Sequence, residues 1–160
     1  MRRFRALASV IGGLAVAAVL VGSALGSTST AFTASYSGTV TEKVSGQTVT
    51  AAARGKGKGT PIGKGTLTGT VTATTASPPC SPLNGPGVLA GTAGKLKVTL
   101  LSSRACAASD DDRDNISFSG SAKVTGGTGK FRAAKGTLRF TGHYDRAGGT
   151  FTVKLRGTLK

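Results

Sequence analysis

The sequence predicts an all-β protein: a closed antiparallel barrel of about eight strands, preceded by a signal peptide. Three observations carry that expectation. Apolar and polar residues alternate with a period of two, which gives strands with one buried and one wetted face. Threonine fills many of the polar rows, and its β-branched side chain suits a pleated surface. Glycine recurs inside the apolar rows, as in Gly69, Gly120, Gly142 and Gly157. The first two observations fit a sandwich or a barrel. The third favours the barrel, whose curved wall needs small residues or bends. No window after the leader shows the periodicity of an amphipathic helix.

Taken in order, the chain begins with a positive head, "MRRFR". An uncharged run follows over 6–22, then the small residues of "SALGSTSTAF". This is the grammar of an export leader. Small residues at Ala24 and Gly26 place cleavage after Gly26, with a cut after Ala31 as the alternative. An uncleaved anchor helix is the competing reading. The run is slightly short for a membrane span and is interrupted by Gly12 and Gly13, so no span is expected after cleavage. The barrel domain then occupies 32–160. Strands are expected over 31–44, 47–57, 65–74, 94–107, 115–124, 136–145 and 149–160, with a short extra strand at 85–91. Turn formers crowd 77–87, 109–115 and 145–149.

The chain carries Lys and Arg at 21 positions against 6 acidic residues, for a formal charge of +15. Losing Arg2, Arg3 and Arg5 with the leader lowers this to about +12, still strongly attractive to polyanions. Cys80 and Cys106 are the two cysteines. In an exported chain they should form a disulfide. It would close a ring of about 27 residues, contributing about 3.5 kcal/mol in a chain-entropy account. With no Trp and few aromatic residues, the core must come mainly from Val, Leu, Ile and Ala.

The stretch "KVTGGTGKFRAAKGTLRF" (123–140) poses a choice between a phosphate cradle and a turn. A phosphate loop needs G-x-x-x-x-G-K-[ST] between a strand and a helix. Here Val124 stands where the first glycine belongs, Phe131 replaces the hydroxyl residue, and a strand follows. "GKGTPIGKG" (57–65) fails in the same way. The glycines instead permit a tight connection that folds Phe131 inward as an apolar plug near the barrel rim.

The segment "GGTGKFRAAKG" (126–136) resembles the signature of plant dirigent proteins and the related allene oxide cyclase barrels, G-G-T-G-x-F-R-x-A-[RK]-G. Matching positions are Gly126, Gly127, Thr128, Gly129, Phe131, Arg132, Ala134, Lys135 and Gly136. The following "HYDRAGGTFTVKL" is similar to that family's last hairpin, so the likeness covers 123–159. It implies an eight-stranded antiparallel barrel, often trimeric, and a place among secreted bacterial relatives. Dirigent proteins guide stereoselective coupling of phenoxy radicals, and the cyclases close a ring on a fatty-acid epoxide. The family's pocket acids fall mostly outside the matched segment, so the resemblance implies a fold more than a reaction.

Candidate site residues are few. Arg132 and Tyr144 are the candidate ligand-binding groups. Arg54, Lys56, Lys58 and Lys64, in a glycine-rich stretch that reads as a hairpin tip, are candidates for gripping a polyanion. The polar rows add Lys123, Arg139, Lys154, Arg156 and Lys160, forming a basic face if their strands adjoin. No aromatic residues interleave with these charges, which argues against specific nucleic-acid binding. Asp110, Asp112 and Asp114 have the alternating spacing of a calcium loop but lack its later Gly and Glu, so a solvated acidic loop is the leading reading and a metal site the alternative. His143 lies on a polar row, and Glu42 reads as a strand-end charge, with a pocket group as the alternative. No nucleophile elbow is present, and no cofactor is expected. The sequence thus points to a secreted binding or structural protein, holding a small apolar molecule in the barrel or an anionic envelope polymer on its surface. A dirigent-like or cyclase-like guide acting on a small lipid or phenolic compound is the alternative. Homo-oligomerisation is compatible with either.

Overall fold

The computed structural model describes residues 28–74 and 79–160; the expected leader, residues 1–26, lies outside the described residues. Among the described residues nine strands are present: β1 (Thr30–Ser45), β2 (Thr48–Thr60), β3 (Gly63–Thr74), β4 (Cys80–Pro82), β5 (Pro86–Gly91), β6 (Gly94–Ala107), β7 (Asn115–Gly127), β8 (Gly136–Asp145) and β9 (Thr150–Leu159). β4 and β5 are successive pieces of one stave, since both pair with β6 and Asn84 between them bridges to Thr72 of β3. Each stave pairs antiparallel with the next in sequence, and β1 pairs with β9 from Thr30↔Leu159 to Thr39↔Thr150. The result is a closed eight-stranded up-and-down barrel. Closure leaves no long unpaired edge among these staves.

Alternation sets the two faces of every stave. In β1, Phe32, Ala34 and Tyr36 are buried while Thr33, Ser35 and Ser37 are exposed. The glycines of the inner rows make room for aromatic rings. A Cβ at Gly57 would lie 2.6 Å from the Tyr36 ring, and one at Gly55 would lie 2.9 Å from the Phe151 ring. A barrel this narrow accommodates its large side chains by removing those of their neighbours.

One end of the barrel is plugged. Ile62 in the β2–β3 turn is fully buried, as are Phe32, Leu96 and Leu138 nearby. The connection between β7 and β8 folds through a short 3-10 turn, Gly129–Phe131, that buries Phe131 as expected. Gly129 holds φ +60 there, a left-handed conformation that glycine adopts without a steric penalty. Lys130 and Thr128 anchor the turn through backbone bonds to Ala93 (3.0 Å) and Lys95 (2.8 Å).

Two expectations need correcting. The stretch 77–87 is more than a turn: Cys80–Pro82 forms β4, with Cys80 opposite Cys106. The disulfide is formed, at a Cα–Cα distance of 4.0 Å, and it fixes a proline-rich segment that has little strand propensity of its own. The basic stretch at 54–64 is not a hairpin tip. Arg54, Lys56 and Lys58 lie within β2, paired on both sides by β1 and β3, and Lys64 lies in β3. The actual tip is Pro61–Ile62, tucked against the core.

Candidate functional site: an apolar chamber with a charged mouth

The half of the barrel away from the plug is hollow. Its cavity is about 340 Å³, within the range of small-molecule sites. The cause is side-chain size. β2 and β3 turn Ala51, Ala53, Val71 and Ala73 toward it, and β6 adds Ala105 and Ala107. The opposite wall is aromatic, with Phe118, Phe140, Tyr144 and Phe151 from β7, β8 and β9. Phe118 and Phe140 meet at a centroid distance of 6.2 Å with tilted planes, a favourable aromatic geometry.

The charged groups of the lining gather at the mouth. Glu42 lies on the inward row of β1 with Val40 and lines the chamber. Its carboxylate Oε2 is 3.4 Å from Arg146 Nε. Its charge also acts on the phenol of Tyr144 beside it. Burial first, then the Glu42 charge, pushes the Tyr144 phenol above its ordinary pKa. Tyr144 is therefore a neutral donor at physiological pH. Arg146 is also the clasp of this end. Its Nη1 donates to the Arg113 carbonyl (3.2 Å), and its backbone N–H donates to the Asp114 carbonyl (2.9 Å). One side chain thus joins β1, the β6–β7 loop and the β8–β9 hairpin. Arg113 and Asp110 complete the rim.

Glu42 is accordingly not a mere strand-end charge. Its parity with Tyr36, Gly38 and Val40 was the sequence signal for an inward position. Arg132 and Tyr144 are not brought together: Arg132 is exposed beside the plug, whereas Tyr144 is buried at the mouth, at the opposite end of the barrel. Asp110, Asp112 and Asp114 lie in the β6–β7 loop without converging. Asp112 accepts from Asn115 through both oxygens, at 3.1 and 2.6 Å, which holds its carboxyl below the usual range. Among the described residues no three His, Cys, Asp or Glu side chains form a metal cluster. His143 is exposed on the outer wall. No helix among the described residues is long and apolar enough to cross a membrane. Comparison with protein-family models, with characterised proteins and with solved structures finds no match to the chain.

Proposed function

We propose that this protein is an exported, non-catalytic binding barrel that takes a small apolar molecule into its hollow half, head group outward. The observation that carries this reading is the segregation of the chamber: Ala, Val and Phe inside, with Glu42, Tyr144, Arg146 and Arg113 confined to the rim. Apolar surface supplies affinity in such sites, and a few polar groups fix orientation. Export is supported by the disulfide and by the leader-like residues 1–26. Cleavage after Gly26 leaves β1 whole. A cut after Ala31 would remove Thr30 and Ala31, which pair with Leu159 and Thr158.

The same rim supports a second reading, a dirigent-like or cyclase-like guide, because it sets a carboxylate, a phenol and a guanidinium beside an apolar chamber. Of the stretch that resembles those barrels, 126–136 lies at the plug, while the last hairpin carries Tyr144 and Arg146 of this rim. Turnover abolished by Glu42→Gln with ligand binding retained would favour this second reading.

Binding is tested with a neutral apolar dye such as N-phenyl-1-naphthylamine, whose fluorescence rises on leaving water. The secreted protein should bind it, and Ala51→Leu with Ala53→Leu should weaken binding at least ~tenfold by filling the chamber. The circular dichroism of the variant should be unchanged. Dye binding that survives the filling, or a native protein that takes up no dye, overturns the proposal.

A further inference from the structure

The outer wall carries a second feature, independent of the chamber. All six acidic residues sit at the mouth end: Glu42 on the far half of β1, Asp110, Asp111, Asp112 and Asp114 in the β6–β7 loop, and Asp145 at the end of β8. The wall of β8, β9, β1, β2 and β3 below them bears cations without a carboxylate among them. Its registers place like charges directly opposite each other, Lys58↔Lys64 and Arg139↔Arg156. Such pairs destabilise a sheet, and an anion seated between them relieves the repulsion.

The cations border a furrow. Its floor is the outward row of β1, where Thr33, Ser35 and Ser37 are short and hydroxylated. Ser35 lies between Lys58 of β2 and Lys154 of β9, and Thr33 is flanked by Arg156. The depression at this place is open and about 860 Å³ in volume. Strand geometry spaces successive outward residues at about 6.8 Å and sets the two bordering strands about 9.6 Å apart. That gap admits one extended chain.

We propose that this furrow binds a linear phosphodiester polymer of acyclic polyol units. A repeat of six backbone bonds, as in poly(glycerol phosphate), extends to about 7 Å, twice the span of a three-bond peptide unit. Successive phosphates therefore match successive lysines, while the serine and threonine floor meets the polyol hydroxyls. Single-stranded nucleic acid shares the six-bond repeat, but it gains sequence-tolerant affinity by stacking bases on aromatic rings. The described Phe and Tyr residues are all turned inward, and the furrow offers no ring.

The test is titration of the secreted protein with fluorescent poly(glycerol phosphate) at 0.15 M salt. An oligothymidylate of equal charge and heparin are run alongside. Lys58→Gln with Lys154→Gln should weaken polymer binding at least ~tenfold more than Lys95→Gln with Lys97→Gln, an equal charge loss on β6. The slope of log affinity against log salt should fall by about 1.4 in the furrow variant. Equal losses in the two double variants would reduce the effect to net charge and overturn the site. Tighter binding of oligothymidylate or heparin would overturn the proposed occupant, and absence of polymer binding would overturn both. Dye uptake by the chamber is unaffected in every arm, so the outcome is separable from that of the lumen.

Discussion

The plugged half and the hollow half of this barrel are built from the same eight staves, yet one is solid and the other is a chamber. The difference lies in which inward residues meet across the axis. Near the plug, Phe32, Leu96, Phe131, Leu138 and Leu159 converge from strands far apart in sequence. Near the mouth, the aromatic wall of β7–β9 faces Ala51 and Ala73, which do not pack against the core. Hydrogen-bonded closure of the wall, rather than filling of the interior, maintains the hollow end. The disulfide and the Arg146 clasp both lie at that end, where apolar packing contributes least.

The sharpest way to break this comparison is a truncation in each half. Phe32→Ala removes a fully buried ring from the packed half and should cost about 3–5 kcal/mol. Val71→Ala faces the chamber, so it should cost under about 1 kcal/mol. Urea denaturation of the two variants measures the contrast, and equal losses would mean that the chamber is filled in solution. Next in size is the covalent tie of the hollow end. Cys80→Ser with Cys106→Ser should lose about 2–5 kcal/mol, read as a fall in the denaturation midpoint. The protection of β4 amides in hydrogen exchange should fall with it.

The smallest expected effect concerns Tyr36, just inside the packed half. Its hydroxyl is buried and has no hydrogen-bond partner among the described residues. An unpaired buried hydroxyl costs about 1–3 kcal/mol, so Tyr36→Phe should be neutral or stabilising by up to that amount. Burial also pushes the Tyr36 phenol above its ordinary value of 10.0. The stability this represents is complete below pH 10, the unfolded value, and is lost as pH rises through the higher folded value. Alkaline denaturation should therefore be shallower in Tyr36→Phe than in the native protein.

Much of the wall was legible in the sequence because alternation is a local property. Rows such as Leu138, Phe140, Gly142 and Tyr144 declare their face without reference to any partner. Phe131 was readable as a plug because the glycines around it permit only a tight connection before the next strand. The chamber was not legible, since emptiness depends on the size of residues that meet across the barrel. Alanines 51, 53 and 73 carry no mark of what stands opposite. The Gly-Lys repeat of β2 misled for the same reason. The glycine-rich stretch 54–64 reads as a hairpin tip, but its Gly55 and Gly57 make space for Phe151 and Tyr36 from other strands.

The confinement of every acidic side chain to one rim also gives the molecule an electric axis running along its bore. Close to a negatively charged surface, that axis experiences a torque before any contact forms. That torque turns the flank or the stoppered base toward the surface and the opening toward bulk water.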